Sequence, residues 1–147
     1  MSKSKVISTD DILATLCHSV TGVLSSASGN EISYSAMVQK ITRTCMRPDI
    51  GCFVLFDGGF TGLVVTNFTA QAAMEIYGDY MRNMGMPEEE IAHSHLSDDV
   101  SNVMGELMNQ IVGDFTSKVR EQLHTSITQN QPKMMAINKQ VQISVDT

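Results

Sequence analysis

Cysteine is too scarce and too badly spaced to hold this chain together. Cys17, Cys45 and Cys52 are odd in number and form no CxxC pair. Neither a disulfide framework nor a thiolate metal site is expected, and the three read as small buried residues of a reducing compartment. Long apolar runs are missing as well. No stretch reaches the roughly 18 residues that read as a membrane span. The opening MSKSKVISTDD has no apolar core of signal-peptide length. A cytoplasmic protein without membrane contact is expected, in which the sequon Asn67-Phe68-Thr69 carries no glycan. Positive charge is sparse too: ten Lys and Arg face sixteen Asp and Glu, for a net charge of −6. The ten cations are scattered rather than gathered into a stripe, so nucleic acid is not an expected partner.

Several catalytic signatures are also absent. No GxSxG nucleophile elbow occurs, and Gly58-Gly59 lacks the GK[ST] ending of a phosphate-binding loop. His93 and His95 form an HxH among acidic residues, but no further ligands stand at metal-site spacing, so they read as loop histidines. Asp57 follows an apolar run, as a receiver's phosphoacceptor does. The acidic pair Asp10-Asp11 precedes a helix rather than following a strand, and the alternating βα pattern is missing, so Asp57 reads as a turn residue.

What remains is a chain of 147 residues with 42% hydrophobic and 18% charged residues, the size and composition of one globular domain over 1–147. At that length a single core buries roughly two-thirds of the unfolded chain's surface. A first helix is predicted over 9–27, with Thr9 as its cap, Asp10 and Asp11 at its positive end and Gly29 as its stop. Residues 31–45 alternate as an extended segment, with Ile32, Tyr34, Ala36 and Val38 on one side. The apolar runs 52–56 and 60–68 flank Asp57-Gly58-Gly59 and predict an antiparallel hairpin. A second helix is expected over 70–84, then an acidic linker or short helix from Pro87. Ser97 caps a long third helix over 97–124. Its apolar residues run from Val100 to Leu123 in steps of 3, 1, 3, 1, 3, 1, 3, 4 and 4, an amphipathic stripe. One more strand is expected over 134–145. The order predicts an α+β domain, with a largely antiparallel sheet and long helices packed on one face.

Opposite that stripe, Asn102, Glu106, Asn109, Gly113, Thr116 and Arg120 share one strip of the third helix, in steps of 4, 3, 4, 3 and 4. The plain reading is a solvated helix face. Against it, the strip is poor in charge and carries Asn109 and Gly113, both weak helix formers, in mid-helix. A glycine there lets another backbone come close. A carboxylate and a carboxamide three residues apart reach one ligand.

The residues around that pair resemble a known pattern. Gly105-Glu106-Leu107-Met108-Asn109 followed by Gly113 is similar to the GE-x-x-N-x-x-x-G core of the CheC/CheX/FliY phosphatases. Twenty-two residues separate Asn109 from Pro132, which matches that family's E-x2-N-x22-P spacing. Leu55 to Gly62 resembles its glycine-rich hairpin, and Thr69 to Met74 its serine- or threonine-led helix. The resemblance spans roughly residues 10–140. Only one Glu-x-x-Asn is present, as in the single-site, dimer-forming CheX-like members. Two differences stand out. Asn102 replaces the Asp or Ser frequent at that place. Family members also continue past the proline with a glycine and two further strands. Here Asn138 lies nearby and the sequence ends at Thr147, so the resemblance predicts a sheet lacking an edge hairpin or borrowing strands from a partner copy.

The resemblance implies a substrate, the aspartyl phosphate of a CheY-like response-regulator receiver in chemotaxis or two-component signalling. It implies that Asn109 orients the attacking water and that Glu106 docks on the receiver's lysine. Asn102, Gly113, Thr116 and Arg120 would contact the partner. Mg²⁺ would come from the receiver, with no cofactor of the chain's own, and a homodimer is implied. A non-catalytic receiver-binding or flagellar-switch-like adaptor of the same fold is the alternative, and a self-assembling protein without a receiver is a third.

Overall fold

The computed structural model describes residues 8–35 and 39–144. Helix α1 runs Thr9–Ser28, and strands β1, β2 and β3 run Arg43–Met46, Ile50–Gly58 and Gly62–Phe68. Helix α2 spans Ala70–Asn83, a 3-10 turn Glu88–Glu90 follows, and helix α3 spans Asp98–Gln122. Strands β4, β5 and β6 close the chain at Ile127–Gln129, Lys133–Ala136 and Val141–Ser144. The α+β architecture, with antiparallel strands throughout, is the one the element order predicted.

Capping residues set the helix starts. Ser8, not Thr9, caps α1, its hydroxyl accepting the Asp11 N–H at 3.1 Å; Thr9 is the first helical residue. Gly29, at φ 74°, closes the helix in a left-handed turn that a side chain would strain. Thr69 caps α2 by accepting from Ala72, and the Asp49 carboxylate accepts the Ala70 N–H beside it. Ser97 caps α3.

The predicted extended segment 31–45 is a strand only from Arg43. Alternation gives a strand nothing to pair with, and Ile32 is instead tied to α1, its N–H and carbonyl both bonded to the Ser25 hydroxyl. Ala36 and Val38 lie outside the described residues. The single strand expected over 134–145 is two strands with different partners, and β4 precedes them.

Strand β2 is the spine of the main sheet. It pairs along its length with β3 on one edge, and with β4 and then β5 on the other. Between β4 and β5 the ladder is carried by Asn130, whose side chain accepts the Leu55 N–H while its own N–H donates to the Leu55 carbonyl. Ile50, Cys52, Val54 and Phe56 on one side of β2 are buried in the core. The α3 stripe, from Val100 to Val119, is buried in the same core, with Phe56 meeting Phe115 edge to face at 5.2 Å. Helices α2 and α3 contact the sheet, and α1 packs against both. Strand β1 pairs with β6 in a separate two-stranded ribbon.

Candidate functional site

Helix α3 is fixed by its apolar stripe, so the opposite strip has no choice but to face outward. Asn102, Glu106, Asn109, Gly113 and Arg120 are all exposed. Thr116 is half-buried and already engaged: its hydroxyl donates to the Val112 carbonyl at 2.8 Å and lies 3.2 Å from Gln129 Oε1. Glu106 Oε1 accepts one long bond, 3.5 Å, from Gln110 Nε2 on the next turn. The Asn109 carboxamide has no hydrogen-bond partner among the described residues. No heavy atom lies within 4 Å of where a Gly113 side chain would begin. The carboxylate and the carboxamide thus stand one turn apart in the open, over a helix surface that is bare at Gly113.

Such a pair binds or orients rather than performs covalent chemistry. An ionised carboxylate only accepts, and suits a cation or ammonium. The carboxamide both donates and accepts, and suits a water or an oxyanion. Among the described residues no group of three His, Cys, Asp or Glu is placed to hold a metal ion. His95 lies 3.9 Å from the Asp49 carboxylate, and no second histidine joins it there.

Sequence reasoning missed the flanks of the strip. On one side Gln129 of β4 touches Thr116, and the Met134 side chain of β5 reaches 3.9 Å from the Gly105 position. A small groove of about 150 Å³ between β5 and the start of α3 is lined by His95, Leu96, Asp98, Ser101, Met134 and Met135 among others. On the other side the Lys118 ammonium bonds the Asp114 carboxylate at 2.6 Å. Partial burial pushes the Asp114 carboxyl up, but hydrogen bonding from Lys118 and Ser19 and the charge of Lys118 outweigh it and hold the group below its ordinary value. The only signal for this last pair was its spacing of four residues, while the β4 and β5 flanks come from strands with no periodic signature.

The family model described as "Protein of unknown function (DUF3334)" matches residues 3–147. The chain belongs to the DUF3334 family. Solved structures add the fold. A chemotaxis protein CheX from Desulfovibrio desulfuricans superposes with a TM-score of 0.72 at 21% identity, over 93% of this chain and 84% of its own. FliY from Thermotoga maritima does so with a TM-score of 0.65 at 21% identity, over 91% and 72%. A Borrelia burgdorferi structure, a CheX–CheY complex with beryllium fluoride and magnesium, aligns with a TM-score of 0.57 at 13% identity, over 85% and 76%. This DUF3334 member therefore has the CheX/CheC-like fold that the motif resemblance implied. No curated protein sequence matches it. No helix among its described residues is long and apolar enough to cross a membrane.

Proposed function

We propose that the chain docks α3 on a phosphorylated CheY-like receiver and hydrolyses its aspartyl phosphate. The observation that carries this reading is the outward, uncovered pair Glu106 and Asn109 on a rigid helix, with open space at Gly113 beside it. The shared fold with a CheX found in complex with CheY supports the choice of partner.

In this mechanism Glu106 pairs with the receiver's active-site lysine, which fixes the register of α3 over the phosphoaspartate. A charge pair that is desolvated on docking governs orientation and off-rate. Asn109 then reaches the phosphoryl group and holds a water in line with the bond to the aspartate. The water oxygen bonds to phosphorus, the phosphorus–oxygen bond to aspartate breaks, and the aspartate leaves as a carboxylate. The water's protons pass to the phosphate product and solvent. Little covalent help is needed, because such transfers depend on positioning and on charge stabilisation by the receiver's Mg²⁺. Asn102, Arg120 and the bare surface at Gly113 extend the contact, with Thr116 at its border. Association into a homodimer and residence in the cytoplasm are part of the same proposal.

The test is the rate of phosphate loss from a panel of phosphorylated receivers with Mg²⁺ present. Asn109→Ala should slow turnover by on the order of 100-fold, comparable to losing one preorganised hydrogen-bonding group, with little change in binding. Glu106→Ala should weaken binding and turnover together. Asn109→Ala working as fast as wild type would end the catalytic reading. Receiver binding without any acceleration by wild type would favour the adaptor.

A further inference from the structure

Leu96 stands 65% exposed in the turn that leads into α3, where a large apolar side chain gains nothing from water. A single exposed leucine is ordinary. This one borders the groove beside the docking helix. Ile50, Met134 and Ala136 line that groove from the sheet side, Leu96 from the turn, and Asp98 and Ser101 from the start of α3. Its volume is about 150 Å³. Small-molecule and cofactor sites run to roughly 300–1,000 Å³. The groove is therefore too small for a nucleotide and of a size for one large side chain of a protein partner.

The turn is held in place by its own hydrogen bonds. The Ala92 N–H donates to the Tyr77 hydroxyl at 2.9 Å, and the Leu96 N–H to the Ser94 hydroxyl at 3.2 Å. The Ser97 N–H donates to the Ser94 carbonyl. His95, also on the groove, lies 3.9 Å from the Asp49 carboxylate, which accepts the Ala70 N–H at the start of α2. Leu96 is thus presented on a fixed frame, and a partner need not order it on binding. Met134, an unbranched and adaptable side chain, supplies a wall that can conform to what enters.

The groove and the Glu106–Asn109 pair share one side of the molecule. Ser101 and Gly105 neighbour Asn102 and Asn109 around the helix, and Met134 reaches 3.9 Å from the Gly105 position. Along the helix axis, Gly105 is roughly 6 Å from Asn109 and Ser101 roughly 12 Å, at about 1.5 Å per residue. Any protein domain docked over Asn109 spans that distance. Charge points the same way. Asp98, Asp99 and Glu106 are exposed along this half of α3, and no Lys or Arg occurs between Ser97 and Ser117. The surface that complements it is cationic around an apolar knob.

We infer that this groove is a second docking point for the same receiver, which seats one apolar side chain from the rim of its phosphoacceptor pocket between Leu96 and Met134. The inference rests on the proposed phosphatase reading for the class of partner. It adds the residues that choose among receivers, because Leu96, Met134 and Ser101 act on binding and stand apart from the reacting water. A knob seated in a pocket carries much of an interface's affinity. A knob of the wrong size or charge is what excludes the wrong partner.

Two variants of the full chain test it, both at exposed positions. Leu96→Asp puts a carboxylate on the rim, and Ser101→Phe fills the groove from the helix. Circular dichroism and melting temperature report that each is folded, and Leu96→Ala serves as a milder third. The receiver is the one that wild type dephosphorylates fastest. Each variant should raise KM, and the dissociation constant for the beryllium fluoride form of that receiver, by about tenfold or more. The kcat at saturating receiver should change by less than about threefold, the mark of lost binding rather than lost chemistry. Unchanged dissociation constants in the folded variants overturn the inference and leave the phosphatase proposal standing. So does a fall in kcat with binding intact, or loss of self-association in place of receiver binding. A wild type that binds no receiver overturns both. Receivers bound but not hydrolysed sink the chemistry alone, and the same dissociation constants then decide the docking point.

Discussion

Asn109 and Gly113 are poor choices for the exposed middle of a 25-residue helix, and the environment of each sharpens what they are for. Gly113 meets nothing within 4 Å, so no internal packing requires it. Gly113→Ala should stabilise the protein by about 1 kcal/mol, the helix-propensity difference, seen as a rise in melting temperature. If a receiver backbone lies there, the same change should weaken receiver binding, and Gly113→Leu more so. A rise in stability without loss of binding would remove Gly113 from the docking surface. Asp114, next to Gly113 in sequence, supplies a pH dependence. Its folded-state value lies below its ordinary one, so its contribution is present above about pH 4 and is lost as pH falls through the depressed value. Asp114→Asn should flatten that part of the acid-unfolding curve relative to wild type. The effect is small, because both partners are about a third exposed.

Elements stand or fall on fewer residues than they contain. Phe115 is fully buried on α3 and packs edge to face on both Phe56 and Phe60. It thus ties the helix to β2 and to the turn that follows it. Phe115→Ala should cost about 3–5 kcal/mol in chemical denaturation. Asn130 bridges the gap between β4 and β5 at a partly solvated site, so Asn130→Ala should cost only about 1 kcal/mol. The helices and hairpin were legible because their signals are local: the stepped stripe from Val100 to Leu123, Ser97 before Asp98, and Asp57-Gly58-Gly59 between two apolar runs. The rest had no local signal. β4 is three residues, two of them polar, and β1 and β6 find each other across about two-thirds of the chain. Residues 31–35 alternate like a strand yet meet no strand to pair with. The strip of α3 was legible for the same reason as the stripe behind it. Its neighbours Gln129 and Met134 were not, because tertiary pairing alone carries them there.

For the molecule as a whole, β2 is the organiser. Ile50, Cys52, Val54 and Phe56 build the core beneath α3, and Phe53 and Leu55 between them face the other side of the sheet.

The absent side chain at Gly51 has a consequence far from its own strand. A methyl group there would stand 2.4 Å from the Met46 terminus and 2.7 Å from the Ile137 terminus. Both atoms are the far ends of flexible side chains and can rotate aside. That glycine works as a notch in which Met46 and Ile137 are seated, holding the root of the β1–β6 ribbon against β2. Filling the notch with valine would leave the core side of the strand intact and loosen that seat, a lesion read as earlier proteolysis within the ribbon of a chain whose helices and main sheet stay folded.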